Sequence, residues 1–160
     1  MAELRVSHVA GKFGRMIPAR VRPGTDVMEA LKKVCEEHGV KYGAILFGIG
    51  SLRQLSYQVL VPKKDSIWGA GYTEPEVIPG PIEIVGIRGI IFQSEDGKET
   101  LLHIHGTFSD QKGKVFGGHL VMGQNPVLAT CDSMIAELTD AKMIRRVDPE
   151  LGLGAFNPEP

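Results

Sequence analysis

The sequence predicts an α+β fold: a curved antiparallel β-sheet, either a sandwich or a half-barrel, with one main helix. Three observations lead there. Glycine makes up 20 of the 160 residues and proline 10, and glycine is well above its average usage of about 7%, so the chain turns often. Apolar or alternating runs of strand length recur between those turns. Only one stretch has clear helical spacing. Hydrophobic residues at 42% and charged residues at 23% describe a globular chain and exclude disorder. The length suits a single domain over residues 1–148, followed by a Pro/Gly-rich tail at 149–160 that is expected to be loosely held.

In chain order, residues 3–9 alternate as a short strand, and Phe13 to Val21 form a second one after the turn at Gly11 and Gly14. Arg22-Pro23-Gly24-Thr25-Asp26 is a turn. Thr25 or Asp26 caps the helix that follows, because a side-chain oxygen there satisfies free N–H groups of its first turn. Val27, Ala30, Leu31, Val34, Cys35 and His38 recur at three- to four-residue steps and give that helix one apolar face. Gly39 stands where a left-handed cap ends it.

Ala44 to Ile49 is a continuous apolar strand, and Leu52 to Val61 another. Residues 62–81 carry Pro62, Gly69, Gly71, Pro75, Pro79, Gly80 and Pro81, a density that a central strand does not hold. The reading there is a long functional flap or mobile loop. Ile82 to Phe92 is a buried strand, and Ser94 to Lys98 a hairpin turn. Leu101 to Phe108 and Val115 to Val121 flank a second turn at residues 109–113. Val127 to Leu138 reads as strand rather than helix, and Met143 to Val147 as a last short strand.

Eighteen basic residues against 19 acidic give a net charge of −1. Dedicated DNA-binding domains draw most of their affinity from a basic surface, and no such excess is present. Cys35 and Cys131 stand far apart in apolar patterns and read as buried thiols. The N-terminus has no apolar signal core and no run approaches 18 apolar residues, so the expectation is a soluble, cytoplasmic protein without membrane contact.

The chemistry lies in the histidines. His103 and His105 are two apart on a strand, so both leave the same face roughly 7 Å apart. His119 joins them if Gln111-Lys112-Gly113 is a three-residue loop with Gly113 in the left-handed conformation. Asp110 then pairs with Lys114, and the ladder puts His119 opposite His105. A slip of one residue would send it to the other face, and Gly117-Gly118 could mark a bulge. Three imidazoles without a cysteine suit a divalent metal, Zn²⁺ or alternatively Ni²⁺, Fe²⁺, Co²⁺ or Cu²⁺, and leave a coordination position for water or a small-molecule ligand. The competing reading makes them hydrogen-bonded core residues.

Glu83, an acid inside the apolar run Ile82 to Val85, is a candidate catalytic proton acceptor beside such a metal; otherwise it is a structural partner. Arg88, five residues on, would point to the opposite face of a regular strand. His8 and His38 fit no ligand pattern. Gly48-Ile49-Gly50 opens like a dinucleotide fingerprint, but Arg53 takes the third glycine position and a strand follows, which excludes it. Lys63-Lys64 and Arg145-Arg146 read as solvated surface, and Trp68 as either a pocket cover or a loop anchor.

The motifs Arg22-Pro23-Gly24-Thr25-Asp26-Val27, Phe47-Gly48-Ile49-Gly50-Ser51-Leu52 and Glu83-Ile84-Val85-Gly86-Ile87-Arg88-Gly89 come in that order. Leu102-His103-Ile104-His105-Gly106-Thr107-Phe108 and Gly117-Gly118-His119-Leu120 follow. From about residue 5 to 148 the chain resembles the PPC domain, the plant and prokaryote conserved domain. The resemblance implies a curved antiparallel sheet assembled as a homotrimer. In plant members the domain follows an AT-hook, an Arg-Gly-Arg-Pro core for the DNA minor groove, and looks like an assembly and partner-binding module. This sequence has no Arg-Gly-Arg-Pro. Plant PPC domains typically lack the histidines at 103, 105 and 119, whereas similarity to the prokaryotic branch implies a bound metal, with zinc the best match. The expectation is therefore a trimeric metal-binding protein with a small-molecule pocket near a subunit boundary. A DNA-binding protein and a scaffold with a purely structural metal are the alternatives.

Overall fold

The computed structural model describes residues 4–160. The chain folds into strand β1 (Lys12–Val21), helix α1 (Val27–Glu37) and nine further strands. These are β2 (Gly43–Gln58), β3 (Leu60–Pro62), β4 (Ala70–Tyr72), β5 (Glu76–Gln93), β6 (Thr100–Asp110), β7 (Val115–Leu120), β8 (Val127–Thr139), β9 (Lys142–Asp148) and β10 (Leu153–Glu159). The fold class is the predicted one, a largely antiparallel curved sheet with a single helix. No helix among the described residues is long and apolar enough to cross a membrane.

The curvature closes on itself. β2 pairs along one edge with β5, while its other edge carries β8 over Gly43–Leu52 and then β7 at Tyr57 and Gln58. Since β5 pairs with β6 and β6 with β7, the four strands β2, β5, β6 and β7 complete a ring. β8 and β1 extend the sheet on one side. Leu52, Leu55, Ile84, Ile104, Phe108 and Leu120 are buried on one face of these strands and belong to one core. Burial of this kind contributes about 1.5–3 kcal/mol for each large aliphatic or aromatic side chain.

Helix α1 packs its buried face of Val27, Met28, Leu31 and Cys35 against β1 and β6. Asp26 is its N-cap and accepts a 2.9 Å hydrogen bond from the Glu29 amide. Gly39 ends it at φ 66°. Both cysteines are free and buried, and burial pushes the Cys35 thiol up to about 12.

Four expectations need correction. Residues 4–9 form no strand, because no neighbouring strand pairs with them; residue 3, the start of that expected strand, lies outside the described residues. The expected strands at 44–49 and 52–61 run on as one, β2, as far as Gln58, with Leu60 and Val61 falling in β3; the register of β2 shifts around Gly48 and Gly50. A Cβ on Gly50 would run into the Thr130 carbonyl, so this glycine serves close strand packing.

The expected loop at 62–81 shrinks to a turn between β3 and β4, and β5 already begins at Glu76. Pro79 and Pro81 are tolerated because β6 ends opposite Ile82, which leaves this part of β5 paired on one side only. The tail, finally, is not loose. Leu153–Glu159 pairs residue for residue with β9, and Pro158 fits because β10 is the edge strand of the sheet.

Candidate metal centre

The β6–β7 hairpin sets the site. Gly113 has φ 76°, its amide donates to the Asp110 carbonyl at 2.9 Å, and the Asp110 amide donates to Lys114 at 3.0 Å. The Asp110 carboxylate holds the amides of Lys112 and Lys114 at 2.8 and 2.9 Å. From this turn the ladder runs without a bulge to His105 opposite His119. The glycines before His119 mark close approach instead: a Cβ on Gly118 would sit 2.5 Å from the Gln58 carbonyl of β2.

His103, His105 and His119 thus leave one face, the one turned away from Ile104, Phe108 and Leu120. Their candidate ligand nitrogens all lie within 4.8 Å of one another. The Nε2 atoms of His103 and His105 are 2.7 Å apart, and the His119 ring lies 4.9 and 5.2 Å from the other two. His119 Nδ1 is buried and has no hydrogen-bond partner. A convergent trio with one orphaned nitrogen fits a cation between the rings, since a buried polar atom without a partner is costly.

Electrostatics point the same way. Burial lowers the pKa of all three imidazoles. For His119 burial acts first and the charges of His103 and His105 add to it, bringing the value to about 4. At His103, burial is followed by the charges of His105 and Arg145. The trio is therefore neutral at neutral pH, the form that binds metal. With three nitrogens and neither thiolate nor carboxylate, the donor set suits Zn²⁺ or its first-row neighbours, which would supply Lewis acidity at a fourth position.

Glu83 does not join this group. It pairs with Ser51 and Ser109 and lines a different hollow with Asp110 and Gln111. Ser109 lies four residues beyond His105 on β6, about 13 Å along a strand. The expectation for Arg88 is also corrected. A register shift between Ile84 and Gly86 absorbs one residue, so Arg88 pairs with His105 and shares the face of Glu83 and the histidines. Nothing in the sequence marked that bulge except Gly86.

Two further residues were not assigned to the site by the sequence, and one of them, Arg145, was read there as solvated surface. Tyr72 of β4 brings its ring to 5.1 Å from that of His119, so the β3–β4 hairpin borders the site. Arg145 of β9 acts electrostatically on His103, while its neighbour Arg146 is tied to Glu159 and Glu95. Both reach the site through tertiary contacts between elements distant in sequence. His8 and His38 are exposed and stand apart from the cluster.

Fold and site together define a small β-rich chain whose strand ring carries three convergent histidines on the face away from its core. A family model described as the Plants and Prokaryotes Conserved (PCC) domain matches residues 8–139, and the chain belongs to that family, named above as PPC. A plant- and prokaryote-conserved (PPC) protein of Pyrococcus horikoshii superposes with a TM-score of 0.74 at 25% identity, covering 94% of this chain and 97% of that one. A metal-containing protein of Archaeoglobus fulgidus gives 0.76 at 21% identity, over 96% and 99%. A proposed DNA-binding protein of Bacteroides thetaiotaomicron gives 0.71 at 21%, over 92% and 96%. Among curated proteins, the bifunctional protein GlmU of Synechococcus sp. (strain JA-3-3Ab) is 26% identical over 138 residues, 86% of this chain. The chain spans only 20% of that protein's length.

Proposed function

We propose that this protein is a homotrimeric metal-binding member of the family, with a divalent cation, zinc the best match, held by His103, His105 and His119. The cation faces a small-molecule pocket through its remaining coordination position. The observation that carries this reading is the convergence of three neutral imidazoles, one with a buried nitrogen that nothing else satisfies. The metal-containing relative of similar fold supports it. Self-assembly draws support from Phe47, Ile49 and Val85, which lie close together on β2 and β5 and are about half exposed. The two free thiols suit the reducing cytoplasm.

Elemental mass spectrometry of the purified, untagged protein beside a His103→Ala/His105→Ala variant tests the site. About one metal per chain, lost in the variant, is the expected result. Protein that stays metal-free after incubation with zinc would sink the reading and return attention to DNA, for which the net charge of −1 gives little encouragement. Sedimentation equilibrium tests the trimer.

A further inference from the structure

Three imidazoles bring no negative charge to a divalent cation. The hollow beside His105 has no acidic side chain in its lining either. Arg88 is the direct cross-strand partner of His105, which sets their Cβ atoms about 5 Å apart on one face. Arg88, His105 and Thr107 line the same hollow, of about 410 Å³, walled by Phe47 and Val85.

Arg15, Arg20 and Arg146 each hold a carboxylate. Among the described residues, neither Arg88 nor Arg145 has one. The acidic side chains of β5 are Glu76 and Glu83, and Glu83 belongs to the other hollow.

We infer that the hollow beside the histidines binds a small oxyanion, a carboxylate or phosphate group, gripped by Arg88 and anchored at the metal. This rests on the metal reading proposed above. The guanidinium presents paired N–H donors that match two oxygens of either group. Thr107 lines the same hollow and carries a hydroxyl able to donate as well. An exposed arginine alone holds an anion weakly in water; a cation beside its cross-strand neighbour supplies the second anchor and fixes the orientation.

The test uses full-length protein loaded with Co²⁺, whose visible absorption reports changes in its coordination. Metal content is measured before and after titration with inorganic phosphate or with acetate, at constant ionic strength. The expected result is a saturable spectral change at constant cobalt content. Affinity falls at least about tenfold in Arg88→Gln, as loss of a charge-assisted hydrogen bond implies, and Arg88→Lys recovers part of it. A response to phosphate alone identifies a phosphate ligand, to acetate alone a carboxylate, and to both the shared oxyanion chemistry. Cobalt-loaded protein that ignores both anions, or an Arg88→Gln variant that responds like the parent, overturns the inference while the metal site stands. Protein that takes up no cobalt overturns both.

Discussion

At the entrance to α1, Asp26 and Asn125 are buried, and their polar atoms are spoken for. Asp26 accepts from the amides of Glu29 and Asn125 at 2.9 and 2.7 Å. Asn125 accepts from the Ser56 amide and donates to the Val121 carbonyl, both at 2.7 Å. At the β6–β7 hairpin, His119 is mostly buried as well, yet its Nδ1 is the one buried side-chain nitrogen or oxygen among the described residues without a partner. The first cluster knits the chain together: it ties the helix cap to β2 and to the segment before β8. The second leaves a bond unmade, which a protein tolerates where a ligand completes it. Closed and open polar clusters thus set a satisfied structural network apart from a candidate binding site within one small fold.

Substitutions at the two clusters should respond in opposite ways. Asn125→Ala removes partners from the buried Ser56 amide and the Val121 carbonyl, and should cost about 3 kcal/mol. Denaturant unfolding reads this directly, and a loss below about 1 kcal/mol would mean that the network is not structural. His119→Ala should leave the metal-free protein within about 1 kcal/mol of the parent, since its Nδ1 has no hydrogen bond to lose. Its zinc affinity should fall by more than about 100-fold, because changes to outer-shell partners alone cost about 10–100-fold. Competition with a chelator measures that loss, and unchanged affinity would remove His119 from the ligand set.

Acid sharpens the contrast. The unfolded chain protonates His119 near its ordinary value of 6.5, the folded protein only near 4. Between these values the unfolded state binds more protons, so stability rises with pH and is lost as pH falls from about 6.5 towards 4. The metal-free parent should lose midpoint temperature over this range more steeply than His119→Ala. Parallel curves would show that the burial of His119 contributes nothing. The smallest effect belongs to Glu83→Gln: metal content unchanged and stability within about 0.5 kcal/mol, because the side chain is exposed and lies along the sheet from the histidines. A loss of bound metal in this variant would bring Glu83 back to the site.

The β6–β7 hairpin was legible to the level of register, because a glycine-terminated three-residue loop and a period of two suffice to put His119 opposite His105. The helix and its caps followed from equally local chemistry. What the sequence hid depends on the neighbourhood. Proline marks a stretch as unfit for a central strand, but β5 near Pro79 and all of β10 have a neighbour on one side only. A bulge after Ile84 reversed the expected side of Arg88. Tyr72 and Arg145 come from elements that only the folded chain brings to the histidines.

The three histidines proposed as ligands lie on a single hairpin, within residues 103–119. Unfolding the protein therefore does not scatter these imidazoles: a short, easily closed loop keeps them within reach of one another. A cation that can still find its nitrogens on the unfolded chain stabilises the fold by less than its native affinity implies. A cation bound there would be held largely independently of the rest of the strand ring, whose own core would carry the fold's stability.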